Sequence, residues 1–251
     1  MAAVALPGAS DRPRVTLLTA LPLVWGEGDA ADVLAGRTAK SETLSAIEQR
    51  VDIQPIDIIS QATLGRNVAI IAQPRRLTPS ELVVLDNWVR AGGRAMIFAD
   101  PELVWPSRYA PGDNRRAPPV TLLDPLFAHW GVALGDSDHE IRTVRIDGYS
   151  VALASAGTWT GPKSCVGAET AVLDCAIGKG RVVFVGDADV LDARLWHAQS
   201  AENPKWLAHR VLELAGVSSA QSTLVPRLAV AGVAIALIVT LAALYHKKLR
   251  T

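Results

Sequence analysis

Four carboxylates are the residues whose type and spacing suggest chemistry. Asp100 and Glu102 follow one apolar run, Arg94 to Ala99 (RAMIFA), and Asp187 and Asp189 follow another, Arg181 to Val185 (RVVFV). In an open parallel sheet, ligands bind outside the carboxyl ends of the strands. If the two runs are neighbouring strands, the acids line one rim, which suits a hard cation or a polar ligand. The competing reading is turn chemistry. Asp before Pro101, and the Asp residues of Gly186-Asp187-Ala188-Asp189, satisfy loose backbone N–H groups with no ligand at all. The turn role is the simpler of the two, and Asp187 is the residue to retain for a site.

No enzymatic or cofactor motif accompanies these acids. Gly178-Lys179-Gly180-Arg181 lacks the preceding glycine and the Ser or Thr of a phosphate loop. No GxSxG elbow is present, and the histidines at 129, 139, 197, 209 and 246 have no metal-ligand spacing. The chain therefore reads as a non-enzyme without cofactor or metal. Lys plus Arg, 25, equals Asp plus Glu, 25, so the clustered basic excess of a nucleic-acid surface is missing.

The acids need a sheet to position them. Val15 to Thr19 and Asn67 to Ala72 are apolar runs of buried-strand length. Thr78-Pro79-Ser80-Glu81 opens a helix with an N-cap, a Pro at the first helical position and a capping-box Glu. Leu82, Leu85, Trp88 and Val89 give that helix one apolar face; Gly92 and Gly93 stop it, and Arg94 to Ala99 follows as a strand. Strand, helix and strand with short links imply a parallel sheet. Ser41 caps a helix over 42–49, and Val51 to Ile59 reads as a strand that Pro55 confines to an edge or divides. Residues 101–119 form a long proline-rich loop, and 122–130 a short helix. A β-rich part follows: strands over 140–146, 149–153 and 170–177, then a turn at 178–180 and a strand over 181–185. Asn203-Pro204 opens a last helix with Trp206, Leu207, Val211, Leu212 and Leu214 on its buried face.

The fold class is thus α/β, a largely parallel sheet flanked by helices, with a β-rich C-terminal part. Cys165 and Cys175 either bridge two hairpin strands in an oxidising compartment or are two buried thiols. Trp25, Trp105, Trp159 and Trp196 fall in or near expected loops, as partner anchors or as lids over the local core.

Leu228 to Tyr245 (LAVAGVAIALIVTLAALY) carries no charge over eighteen residues. As a helix it is roughly 27 Å long, about the hydrocarbon thickness of a bilayer. Arg227 precedes it; Tyr245 sits where an interfacial aromatic belongs, and Lys247, Lys248 and Arg250 follow. The expected organisation is a lead at 1–13, a soluble domain at 14–216, a linker at 217–226, a membrane helix at 227–246 and a basic tail at 247–251. The basic tail places the body outside the cytoplasm, whereas the lack of a signal peptide in residues 1–14 places it inside.

Two segments carry a family resemblance. Leu77 to Glu102 (LTPSELVVLDNWVRAGGRAMIFADPE) resembles the helix, glycine stop and Asp-Pro strand end of the GldG-like auxiliary proteins of ABC transporters, first described in gliding motility. Gly178 to Asp192 (GKGRVVFVGDADVLD) is similar to their later strand and Gly-Asp-x-Asp turn, and 203–214 to their last helix before a membrane span. The resemblance implies a class I glutamine amidotransferase-like sandwich without the catalytic Cys. It also implies a non-catalytic subunit in the inner membrane, its body in the periplasm beside an ABC permease and an ATP-binding subunit. Members usually carry an N-terminal span as well, which is absent here. The strands at 67–72 and 94–99 are followed by Gln73-Pro74 and Asp100-Pro101, neither offering a thiol. The alternative function is a membrane-anchored hydrolase or ligand sensor that uses Asp100, Glu102, Asp187 and Asp189 as an acidic rim.

Overall fold

The computed structural model describes residues 12–217, apart from 29, 37, 39, 66, 67 and 168. The apolar stretch at 228–245 and its flanks Arg227, Tyr245, Lys247, Lys248 and Arg250 lie outside the described residues, as does nearly all of the expected lead and linker. Among the described residues no helix is long and apolar enough to cross a membrane.

The chain runs β1 (Arg14–Thr19), α1 (Ala30–Leu34), α2 (Glu42–Glu48), β2 (Asp52–Pro55), α3 (Gln61–Leu64), β3 (Val68–Ala72), α4 (Pro79–Arg90), β4 (Arg94–Phe98) and α5 (Asp124–Trp130). It continues with β5 (Ala133–Ser137), β6 (Ile141–Ile146), β7 (Tyr149–Ala154), β8 (Gly157–Thr160), β9 (Val172–Ile177), β10 (Gly180–Val185), α6 (Ala193–Ala198) and α7 (Asn203–Leu214). The main sheet has the order β2-β1-β3-β4-β10-β9, with every pairing parallel except the hairpin β9–β10 at one edge. Of the expected β-rich part, β9 and β10 join the main sheet, while β6–β7 and β5–β8 form two small antiparallel sheets.

The central strands read as continuous apolar runs because both faces of the sheet are covered. On one face Val15, Leu17, Met96, Phe98, Val183 and Val185 pack with Leu44 and Ile47 of α2 and with Trp206, Leu207 and Val211 of α7. On the other, Ala69, Ile71, Ile97 and Phe184 pack with Leu85 and Val89 of α4 and with Leu126, Phe127 and Trp130 of α5. Alternate residues of one strand thus feed two different cores, as the period of two requires.

The strand expected over 51–59 is shorter, ending at Pro55, and lies at the sheet edge. Proline cannot donate to a ladder, so the pairing stops there. β5 and β8 were not expected from their residues. Trp159, read as a loop residue, is wholly buried in β8, and Trp105 is also buried; Trp25 is exposed. Gly180 lets the β9–β10 hairpin come down on the end of α4. A Cβ there would lie 2.1 Å from the Val89 carbonyl oxygen.

Cys165 and Cys175 form a disulfide. It does not join two hairpin strands: Cys175 is on β9, and Cys165 is in the loop that bridges β9 through Val166 and Asp174. The bond therefore fastens a loop to the edge strand of the main sheet.

The start of α4 is tied to its surroundings through Glu81. Thr78 Oγ1 accepts from the Glu81 N–H, and Glu81 Oε2 accepts from the Thr78 N–H at 2.9 Å. Arg75 donates to both carboxylate oxygens, at 2.8 and 3.0 Å, and the Ile59 N–H donates to Oε1. The Arg75 bonds, more than the backbone ones, hold the buried Glu81 carboxyl down at about 2. A depressed carboxyl stabilises the fold above its unfolded value near 4.5 and loses that contribution as pH falls toward 2. Arg75 is half-exposed and solvent screens the pair, so Glu81→Gln is expected to cost only about 1 kcal/mol at pH 7. Urea titrations of both forms should show the gap close between pH 4.5 and 2; a gap independent of pH would refute the assignment.

Candidate functional site

β4 and β10 are neighbours in register, Phe98 opposite Val185, so the turns that follow them lie side by side. Asp100, Asp187 and Asp189 come together there, each offering a carboxylate oxygen within 4.8 Å of the others. They are 0, 0 and 2 % exposed, so they form a buried cluster and not an open rim. Glu102 stays outside it, with its carboxylate at the surface on His139 Nδ1.

Each acid performs turn work. Asp100 Oδ1 accepts from the Glu102 N–H and Oδ2 from the Ala188 N–H, both at 2.8 Å. Asp187 Oδ2 accepts from the Ala154 N–H at 2.7 Å, and Oδ1 from the Val190 N–H at 3.0 Å. Asp189 Oδ2 accepts from the Val104 N–H at 2.9 Å. The cluster thereby ties the ends of β4 and β10 to β7, to the 3-10 helix Asp189–Leu191 and to the loop after Asp100. Gly186 lets the end of β10 lie against the start of β8, since a Cβ there would meet the Gly157 carbonyl oxygen at 2.4 Å.

Turn work does not account for the charge. Asp189 Oδ1 is buried with no hydrogen-bond partner. Among the described residues no Arg, Lys or His forms an ion pair with any of the three; Arg194 pairs with Asp192 at 2.8 Å, and its charge acts on Asp189 from farther off. Burial pushes the Asp100 carboxyl up to about 6 against the N–H bonds that hold it down. Burial, then the Asp100 charge, pushes Asp189 to about 8. Burial, then both neighbours, raises Asp187 well above the carboxylate range.

Two buried amides complete this polar band, and sequence reading missed both. Gln73, at positive φ (39°) after β3, accepts from the Asp100 N–H at 3.0 Å and donates to the Pro118 carbonyl at 2.9 Å. Asn203 accepts from the Ala152 N–H and donates to the Ala152 and Val190 carbonyls. Asn203-Pro204 signalled the helix start but not this second role.

The sheet order reverses between β1 and β3, the place where doubly wound sheets open a crevice. A groove of about 620 Å³ lies instead at the carboxyl ends of β1 and β2, lined among others by Thr19, Trp25, Asp57, Tyr109 and Arg115. The Arg115 guanidinium stands 4.3 Å over the Tyr109 ring, and Trp25 is 64 % exposed.

Residues 12–138 match a protein family described as an ABC-type uncharacterized transport system, and they make up half of the chain. This chain belongs to that family. As a member of the ABC transport auxiliary family, it is an auxiliary component of an ABC-type transport system. No curated protein matches it in sequence. Among solved structures it is similar to the mmIFT52 N-terminal domain, at 14 % identity and a TM-score of 0.52, over 81 % of this chain and 97 % of that one. It is also similar to the cytoplasmic protein STM1381 from Salmonella typhimurium LT2, at 7 % identity and a TM-score of 0.50, over 80 % and 99 %. At such identities the likeness is one of fold. A GH42 β-galactosidase from G. stearothermophilus aligns at 15 % identity and a TM-score of 0.45, over 80 % of this chain and 30 % of the enzyme.

Proposed function

We propose that this chain is a non-catalytic, GldG-like subunit that is tethered to the inner membrane beside an ABC permease and its ATP-binding subunit, and binds a partner subunit or ligand through its α/β body. The family match at 12–138 is the observation that carries the reading. The tether rests on the uncharged stretch at 228–245 and its basic flank Lys247, Lys248 and Arg250. The periplasmic side is supported by the Cys165–Cys175 bond, since disulfides persist in oxidising compartments.

An amidotransferase-like sandwich is supported by the parallel order β2-β1-β3-β4-β10 with helices on both faces. Two features support the lack of catalysis. The turns after β3 and β4 carry Gln73-Pro74 and Asp100-Pro101, so neither supplies the thiol of an amidotransferase. Three of the acids that an anchored hydrolase or ligand sensor would use, Asp100, Asp187 and Asp189, are buried on backbone amides, which leaves that alternative only Glu102 at the surface. The groove beside Trp25 offers the body a contact surface at the carboxyl ends of β1 and β2. Capture from a mild detergent extract tests the reading. The tagged full chain is expected to bring down an ATP-binding subunit and a permease; recovery of the chain alone after gentle cross-linking would overturn it.

A further inference from the structure

Three ionised carboxylates this close in the interior repel one another, and desolvation adds to the cost. Something positive must offset them: a proton on each acid, or a cation shared by all. Two observations favour the cation. Asp189 Oδ1 is an acceptor with no donor although the residue is 98 % buried, and a bare buried acceptor is costly. Each of the other carboxylate oxygens in the cluster accepts a backbone N–H. A carboxylate has about four lone-pair positions, so these bonds orient the acids and leave acceptor capacity unused.

We propose that Asp100, Asp187 and Asp189 hold one calcium ion, taken up as the chain folds, that locks the ends of β4 and β10 to the segments packed on them. An all-oxygen, acidic ligand set selects hard cations over transition metals. Calcium binds oxygen at about 2.3–2.6 Å, so ligands on opposite sides of one ion lie up to about 5.2 Å apart. The three carboxylate atoms all fall within that span. Calcium takes about six to eight oxygens in flexible geometry, which three carboxylates binding through both oxygens can supply. Magnesium demands a near-ideal octahedron at about 2.0–2.1 Å and keeps several waters, for which carboxylates 0–2 % exposed leave little room. The ion's role is structural and independent of which transport subunit the body contacts.

Elemental analysis of the purified full chain in detergent is the test, paired with thermal melts in EGTA, in Ca²⁺ and in Mg²⁺. One calcium per chain is expected. Re-adding Ca²⁺ after EGTA should raise the melting temperature by about 5 °C or more at a hundredfold excess over Kd. Asp189→Asn should lower the Ca²⁺ affinity at least tenfold, while Glu102→Gln, at the surface, should leave it unchanged. A wild-type chain without calcium, whose melt ignores both EGTA and Ca²⁺, overturns the proposal and leaves the cluster neutralised by protons. An equal or larger response to Mg²⁺ overturns the calcium assignment. The wild-type measurements decide even if Asp189→Asn does not fold.

Discussion

Phe184→Ala is expected to destabilise the body by about 3–5 kcal/mol, the usual cost of removing a buried aromatic ring from a close-packed core. Phe184 sits in β10, wholly buried between β4 and β9. Its ring lies edge-on to Phe127 (5.9 Å, 85°) and to Trp130 (5.9 Å, 65°), and is tilted 5.0 Å from Trp159. These contacts join the main sheet to α5 and to β8, so the deletion opens a cavity where three elements meet. Rings held on three sides relax poorly, which places the cost toward the upper end of the range. Val83→Ala is the control: Val83 is 59 % exposed on α4, and its loss should stay within about 0.5 kcal/mol. Urea denaturation of the full chain in detergent measures both. A Phe184→Ala cost near that of Val83→Ala would mean that this packing is wrong.

Removing the disulfide is the second large effect. Closing a loop of ten residues restricts the unfolded chain by about 2.7 kcal/mol in the chain-entropy account. Cys165→Ala with Cys175→Ala should lose about that much, and β9, an edge strand, should lose hydrogen-exchange protection first. A reductant should destabilise the wild type by the same amount and leave the double variant unaffected. Two free thiols would give no response to reductant at all.

What the sequence disclosed was largely local. The start of α4 was legible because the cap, the Pro at the first position and the closing Glu are adjacent residues, and the capping box forms as read. The apolar runs of β3 and β4 were legible because a strand covered on both faces needs no polar alternation. The β6–β7 turn offered a signal that went unused. Asp147-Gly148 adopts positive φ at both positions (51° and 86°), the pattern of a two-residue hairpin loop. β5 and β8 were not legible. ALGDS and GTWT are short, and each is a strand only because it pairs with the other, across a bulge.

The site divided in the same way. That Asp100 and Asp187 stand together followed from two strongly apolar runs becoming neighbours in the sheet. Their burial did not, because it is imposed by β7, the 3-10 helix and the loop after Asp100, all distant in sequence. For the same reason Gln73 and Asn203 look like surface amides in the sequence and are core hydrogen-bonders in the fold. The cysteine spacing allowed a bridge but could not place Cys165 against β9; only the folded loop does that.

The most direct measurement is the mass of the particle that the full chain forms when released from its native membranes in mild detergent. The transport-auxiliary account predicts a complex that contains this 26.6 kDa chain together with an ATP-binding subunit and a permease, and predicts that a chain ending at residue 217 stays in the supernatant. A full chain that stays in the supernatant without detergent, or one found in the membrane only as a 26.6 kDa species, would contradict it.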